Sequence, residues 1–317
     1  MTGPLHRARY LTGPTASGKT AVGVALAERW GAEVIALDSM TLYRGMEVGT
    51  AKPTEAERRG VPHHLIDVLD PWESASVAWY RDRASAAVLD VEARGRIPLF
   101  VGGTPMYLKA LLRGLFEGPP ADPALRAELE FEADRLGDAA LHDRLAGLDP
   151  PAASRLHPND RRRVIRALEV VLATGLPLSD QQREHDRPAP PEVPVIALDR
   201  PRGELRGRID RRVGLMFAEG LVDEVRRLVE APRPLHPVPS QGVGYGEVVD
   251  LLAGRVATEA EAIARIQART RQFAKRQMTW FRGLDEVELL PVPDDEPPEA
   301  TAARVADRME AIRAGRG

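Results

Sequence analysis

Gly13-Pro14-Thr15-Ala16-Ser17-Gly18-Lys19-Thr20 decides how this chain is read. It fills every defined position of the phosphate-loop pattern G-x-x-x-x-G-K-[ST]. Arg9-Tyr10-Leu11-Thr12 ahead of it reads as the end of a strand. Ala21 to Trp30 behind it reads as a helix with Val22, Leu26 and Trp30 on one face. That strand-loop-helix setting is the one in which such a loop works. Its glycines let backbone N–H groups turn inward, and the helix N-terminus adds positive potential. Lys19 supplies a cation for phosphate oxygens, and the Thr20 hydroxyl suits a magnesium ion. Gly13 to Thr20 are therefore the expected phosphate-binding residues, as in nucleotide- and ATP-binding proteins. The loop alone says only that a polyphosphate is held.

Outward from the loop, 317 residues suffice for one large or two medium domains. The formal net charge is -3, so any nucleic-acid surface must be a local basic patch. There is no cysteine, which excludes disulfides, thiolate metal sites and cysteine nucleophiles. No apolar run has the length of a membrane span and no signal core stands at the N-terminus. A cytoplasmic chain is the expectation.

Glu33-Val34-Ile35-Ala36-Leu37 reads as a second strand ending in Asp38-Ser39. In a parallel sheet, strand carboxyl ends meet at the ligand crevice, so Asp38 belongs near the phosphate loop. It reads as a magnesium-holding acid, as a general base, or as a turn cap. Residues 39 to 53 are too polar and glycine-rich for a core element and read as a structured loop. His63 and His64 are adjacent, so they would point to opposite faces of a strand and share no metal. Ile97 to Val101 is a buried strand that brings Gly102-Gly103-Thr104 to the same sheet edge. Its glycines allow close backbone approach, and Thr104 offers a hydroxyl.

From Gly118-Pro119-Pro120 the character changes to helical patterns without a strand, ending at the linker Arg187 to Pro191. Within this stretch Arg155, His157, Arg161, Arg162, Arg163 and Arg166 cluster, either as a solvated face or as a phosphate-backbone site. Val193 to Leu198 resumes a strand. The expected fold is therefore α/β: a P-loop NTPase-like core with a parallel sheet flanked by helices, carrying a helical insertion domain. The core takes residues 1–117 and 190–317 and the insertion 118–189. The remainder reads as mostly helical. Arg208, Arg212 and Met216 share one helix face. Arg265, Arg269, Arg271, Lys275, Arg276 and Arg282 interleave with Phe273, Trp280 and Phe281 on a long helix, as solvated arginines over a core or as a second nucleic-acid strip.

Together these segments resemble the tRNA dimethylallyltransferase (tRNA isopentenyltransferase) family. The resemblance rests on the phosphate loop, Asp38-Ser39, Tyr43-Arg44-Gly45-Met46, Gly49-Thr50-Ala51-Lys52-Pro53 and His63-His64-Leu65-Ile66-Asp67. It continues through Gly102 to Tyr107, Arg161 to Glu169, Met216 with Gly220-Leu221 and Glu224-Val225, Gly244-Tyr245, and Thr270 to Gln277 with Thr279-Trp280-Phe281. Gly-Thr-Ala-Lys-Pro and Arg-Gln-x-x-Lys-Arg-Gln-x-Thr-Trp-Phe are the specific pieces. Thr41 departs from the glutamine that many members carry there, which bears on a base contact and not on the chemistry.

The resemblance implies an enzyme that moves the dimethylallyl group of dimethylallyl diphosphate onto the N6 amine of the adenine just 3′ of the tRNA anticodon. It implies Asp38 as general base, Thr104 as a hydrogen-bonding partner near the amine, and Lys19 and Arg208 on the diphosphate. Thr20 would hold Mg2+. Asp38, Ser39, Met40, Thr41, Thr104, Arg126, Asn159, Asp160, Arg161, Arg162 and Arg163 would contact tRNA, with the insertion on the anticodon stem-loop. No membrane and no obligatory protein partner are expected, and the chain is read as a monomer. The competing readings are a P-loop nucleotide or small-molecule kinase, an adenine-nucleotide prenyltransferase and a nucleotide-gated RNA-binding module.

Overall fold

A computed structural model describes residues 3–315 apart from 115, 117, 120, 121, 186 and 187, and not the side chains of 182–185. The expected core boundary at 117 and Arg187 of the expected linker lie outside the described residues. The chain forms two compact units, residues 1–112 with 188–317, and residues 113–187.

The first unit is built on a six-stranded sheet: β1 (Arg9–Thr12), β2 (Ala32–Ala36), β3 (His63–His64), β4 (Ile97–Val101), β5 (Val195–Asp199) and β6 (Glu288–Pro291). Its order is β3-β2-β4-β1-β5-β6 and every neighbouring pair is parallel. Side chains alternate across it as the pleat requires. Tyr10, Ile35, Phe100, Val195 and Ala197 enter one apolar cluster. Leu11, Val34, Leu99, Ile196 and Leu198 enter the other. The helices Val77–Ala93, Arg202–Ala218 and Glu259–Arg282 contribute to the first. Lys19–Trp30 and Pro298–Arg313 contribute to the second. Both faces being covered explains why the central strands read as continuous apolar runs.

β6 was not expected from the sequence. It is a four-residue edge strand, partly exposed along its length, so no strong apolar run marks it. The stretch after β2 forms a structured loop with one isolated bridge, Tyr43 to Leu69. Glu224 holds it: its carboxylate accepts from the backbone N–H of Glu47, Val48 and Gly49 at 2.8, 2.7 and 3.1 Å and from the Tyr245 hydroxyl at 2.7 Å. A Cβ on Gly49 would lie 2.6 Å from the Tyr245 ring. Lys52 is buried beneath the same loop, donating to the Tyr43 carbonyl and the Asp67 carboxylate.

The second unit is helical among its described residues: Pro123–Leu136, Asp138–Leu148, Pro150–Ala153, Arg161–Thr174 and Leu178–His185. Leu129, Leu141, Leu145, Val164, Ile165 and Leu168 are among the residues of its core. No helix among the described residues is long and apolar enough to cross a membrane.

The Glu224 cluster yields the first prediction. Glu224→Ala leaves three backbone donors without their acceptor, and a buried donor left unsatisfied costs about 1–3 kcal/mol. Partial rehydration of the loop offsets some of this, so the expected loss is about 3 kcal/mol in urea unfolding. An unchanged midpoint would show that the loop is held by other contacts.

Candidate active site

Strand order brings three strand ends together. β4 lies between β2 and β1, so the segments after all three meet at one carboxyl edge. The phosphate loop follows β1, with Gly13 at φ 138°, Ala16 at 64° and Gly18 at 94°. A Cβ on Gly13 would lie 2.9 Å from the Leu198 carbonyl of β5. Among the described residues, no acceptor in the chain takes the N–H of Gly18, Lys19 or Thr20. These are the orphan donors of a helix N-terminus, and they suit an anion.

Lys19 folds back on the loop, its ammonium donating to the Pro14 carbonyl at 2.7 Å. Burial lowers its pKa from 10.5 to about 7, the Arg212 charge adds to the fall, and the Asp38 carboxylate opposes it. Arg208 donates through Nε to the Ala16 carbonyl at 2.8 Å. Arg212, on the same helix, has no carboxylate or hydrogen-bond partner among the described residues. Burial and the neighbouring Arg208 lower the pKa of its guanidinium.

Asp38 stands just past β2. Its Oδ1 accepts from the Met40 N–H at 2.8 Å and the Thr41 N–H at 3.4 Å. Oδ2 takes no hydrogen bond among the described residues. Burial raises the Asp38 pKa, against the pull of the Met40 amide and the Lys19 charge. The Thr104 hydroxyl oxygen accepts from the Ser39 N–H at 3.1 Å, and the Thr104 N–H donates to the Leu37 carbonyl at 3.2 Å. The hydroxyl proton of Thr104 is thereby left to donate elsewhere. Thr41 is buried, and its hydroxyl has no partner among the described residues. Lys19, Asp38 to Thr41, Thr104 and Arg208 are thus brought to one edge.

Thr20 is exposed on the first turn of its helix. Among the described residues there is no group of three His, Asp or Glu that could hold a metal. A single hydroxyl with no carboxylate cage suits Mg2+, which keeps several waters and is commonly carried on substrate phosphates. His63 and His64 make separate contacts, to the Val61 carbonyl at 2.8 Å and the Glu33 carboxylate at 2.7 Å.

In the second unit, Arg126, Asp160, Arg162, Arg163 and Arg166 line a cleft of about 520 Å3. The arginines there are not equivalent. Arg126 makes a bidentate pair with the buried Glu169 at 2.7 and 2.8 Å. Arg161 bridges Asp134 and Asp138, both at 2.6 Å. Arg163 pairs with Asp160 at 3.1 Å. Arg162 is exposed and has no carboxylate partner among the described residues. The expected strip on the Glu259–Arg282 helix divides likewise. Arg265, Arg269, Arg271 and Arg282 pair with Glu261, Glu247, Asp210 and Asp199. Lys275 and Arg276 are exposed and have no such partner among the described residues.

Compared with known proteins, residues 41–284 match the family model described as IPP transferase, and residues 6–67 match that described as isopentenyl transferase. The chain belongs to the IPP transferase family. The tRNA dimethylallyltransferase of Anaeromyxobacter sp. (strain Fw109-5) is 47% identical over 291 residues, 92% of this chain and 96% of that protein. That of Roseiflexus sp. (strain RS-1) is 47% identical over 305 residues, 95% and 98% of the two chains. The crystal structure of a full-length tRNA isopentenylpyrophosphate transferase from Bacillus halodurans superposes with TM-score 0.70 at 40% identity, over 98% of each chain. A eukaryotic dimethylallyltransferase acting on tRNA gives 0.82 at 27% identity, covering 98% of this chain and 80% of its own.

In this member of the IPP transferase family, two residues at the same sheet edge are not among those expected from the sequence. Arg200 follows β5 directly and is buried, donating through Nε to the Ser17 carbonyl at 2.8 Å and through NH1 to Glu204 at 2.7 Å. Its signal was available, since the strand-end rule that picked Asp38 and Thr104 also reaches the residue after Asp199. Gln277 accepts from the Thr15 N–H at 2.9 Å. Its signal was a polar side chain on the apolar face of a helix, beside Ala274, Met278 and Phe281.

Lys19 sets the second prediction. Its folded pKa is about 7 against an ordinary 10.5, so the unfolded chain binds more protons between those values. Stability of the free protein therefore rises with pH through that window, and the rise should be smaller in Lys19→Met. Adding inorganic diphosphate at pH 8 restores the ammonium, so binding takes up a proton. Calorimetry in buffers of different ionisation enthalpy should show that uptake in the wild type and not in the Met variant. Equal uptake in both would remove Lys19 from the anion site.

Proposed function

We propose that this chain transfers the dimethylallyl group from dimethylallyl diphosphate to the N6 amine of the adenine 3′-adjacent to the anticodon in tRNA. The observation that carries this reading is the convergence of an anion cradle and an uncommitted carboxylate oxygen at one sheet edge. The N–H groups of Gly18, Lys19 and Thr20, with Lys19 and Arg208, bind the diphosphate. Arg200 and Arg212 add positive charge beside the loop. Asp38 Oδ2 accepts from the amine and orients it, and the Thr104 hydroxyl donates to the base beside it. The amine nitrogen bonds to the allylic carbon as the carbon–oxygen bond breaks. Diphosphate leaves with the electron pair, and the proton freed from nitrogen passes to Asp38. Fixed cations and dipoles that meet charge where it develops lower the barrier most. Mg2+, when bound beside Thr20, would neutralise further charge on the leaving group.

The target base must leave the anticodon-loop stack, and unpaired loop bases are the ones RNA presents for such handling. We assign Asp38 to Thr41 and Thr104 to that base. Arg126 and residues 159–163 of the helical unit are assigned to the stem-loop, with the reaction in the cytoplasm. Mass analysis of nucleosides from tRNA incubated with the protein, magnesium and dimethylallyl diphosphate tests the reading. The modified adenosine should be present, and its absence would sink the proposal.

Asp38→Asn keeps size and shape and loses the base. Transfer should fall by roughly 10²–10⁴-fold while tRNA and magnesium-dependent diphosphate binding persist. A large loss of magnesium-dependent binding would instead mark Asp38 as a metal acid, as in a kinase.

Among the described residues lining the helical cleft, Arg162 is the cation without a carboxylate partner. Arg162→Ala should lower the slope of log affinity against log salt by about one. Arg161→Ala, which breaks a double carboxylate bridge, should change the slope less and lower the unfolding temperature more. Equal slopes in all three proteins would make the cleft a solvated face.

A further inference from the structure

We propose that Gln277 is a positioning residue that holds the phosphate loop in register with the Asp38–Thr104 pair. The Glu259–Arg282 helix buries Ala262, Ile266, Ala274, Met278 and Phe281, and Gln277 lies among them at 4% exposure. A buried amide is costly unless both of its ends are hydrogen-bonded. Gln277 finds its two partners in two different loops. Its Oε1 accepts from the Thr15 N–H at 2.9 Å, and its Nε2 donates to the Gly103 carbonyl at 2.6 Å.

The contact leaves no slack. A Cβ on Gly103 would lie 2.8 Å from Gln277 Nε2, 3.1 Å from the Gly13 carbonyl and 3.4 Å from Lys19 Nζ. Thr104 follows at once, and its hydroxyl oxygen takes the Ser39 N–H beside Asp38. The path therefore runs from Thr15 through one side-chain amide to Gly103 and, one residue on, to Ser39. It also commits the Thr15 N–H, so the diphosphate must be met by the amides further along the loop.

The inference rests on the proposed prenyl transfer. In that reaction the leaving group lies on the phosphate loop and the amine on Asp38. Reacting atoms must be held about 3–3.5 Å apart, and an error near 1 Å can cost on the order of 10²-fold. Gln277 sets the spacing of the two loops and touches neither reactant.

The test is single-turnover transfer to an anticodon stem-loop RNA, with separate dissociation constants for dimethylallyl diphosphate and for the RNA. Gln277→Leu removes both hydrogen bonds. Gln277→Glu keeps the acceptor for Thr15 and loses the donor to Gly103. The saturated rate should fall on the order of 10–10²-fold in the Leu variant and less in the Glu variant, with both dissociation constants within about threefold. A saturated rate within about twofold of wild type, or weakened binding with an unchanged rate, overturns the inference. Should the Leu variant not fold, the nearly isosteric Glu variant decides on the same two readouts. A wild-type chain that binds both substrates and transfers nothing overturns the prenyl-transfer reading, and the inference with it. Failure of the inference alone leaves wild-type transfer intact.

Discussion

The site depends on a close approach of backbone to backbone. β4 runs between β2 and β1, and its end must pass Leu37 without a side chain: a Cβ on Gly102 would lie 2.1 Å from the Leu37 carbonyl oxygen. Gly102 donates to the Leu11 carbonyl at 3.2 Å, and its own carbonyl accepts from the Thr12 hydroxyl at 2.9 Å. Once those bonds form, Gly103 and Thr104 stand between the phosphate loop and Asp38. Any residue larger than glycine at 102 would push two strand ends apart, and with them the anion cradle from the carboxylate. The spacing of the chemistry is thus a property of sheet pairing, which is stiff, rather than of loops alone.

That stiffness carries an electrostatic cost in the free protein. Arg200, Arg208, Arg212 and Lys19 gather about one loop, and Glu204 is shared by Arg200 at 2.7 Å and Arg208 at 3.6 Å. Burial, and after it mutual repulsion, lowers the pKa values of Arg208, Arg212 and Lys19, and Lys19, with the lowest ordinary value, comes down to about 7. A polyanion relieves this strain by supplying the missing countercharge. In the proposed reaction, binding and protonation would therefore be coupled, and cations already in place would need no reorganisation as charge builds on the leaving group.

The parts legible in the sequence were those with local cause. The phosphate loop, the apolar runs of β1, β2, β4 and β5, and the residues just past them could be read because loop, strand and strand end lie next to one another in the chain. β6 could not be read, since a four-residue edge strand beginning with Glu288 and closing with Pro291 carries little apolar signal. Gln277 and Arg200 join the site through contacts with Thr15 and Ser17 that span most of the chain. Periodicity places Gln277 on a helix face and says nothing of which loop it meets.

The basic clusters show the same limit most sharply. In the sequence Arg161, Arg162 and Arg163 are three neighbouring cations of equal standing. In the fold Arg161 is spoken for by Asp134 and Asp138, and Arg163 by Asp160, while Arg162 faces solvent with no carboxylate partner among the described residues. On the long helix, Arg265, Arg269, Arg271 and Arg282 bind carboxylates and, among the described residues, Lys275 and Arg276 are left without one. Net charge of -3 is thus compatible with a polyanionic partner, because what matters is the local remainder of cations that these clusters leave unpaired. An exposed arginine already in a good ion pair must break it to take a phosphate, so its gain is a difference between two similar interactions. An unpaired one pays only its hydration. Affinity for RNA should therefore follow the unpaired cations, which no count of arginines in the sequence identifies.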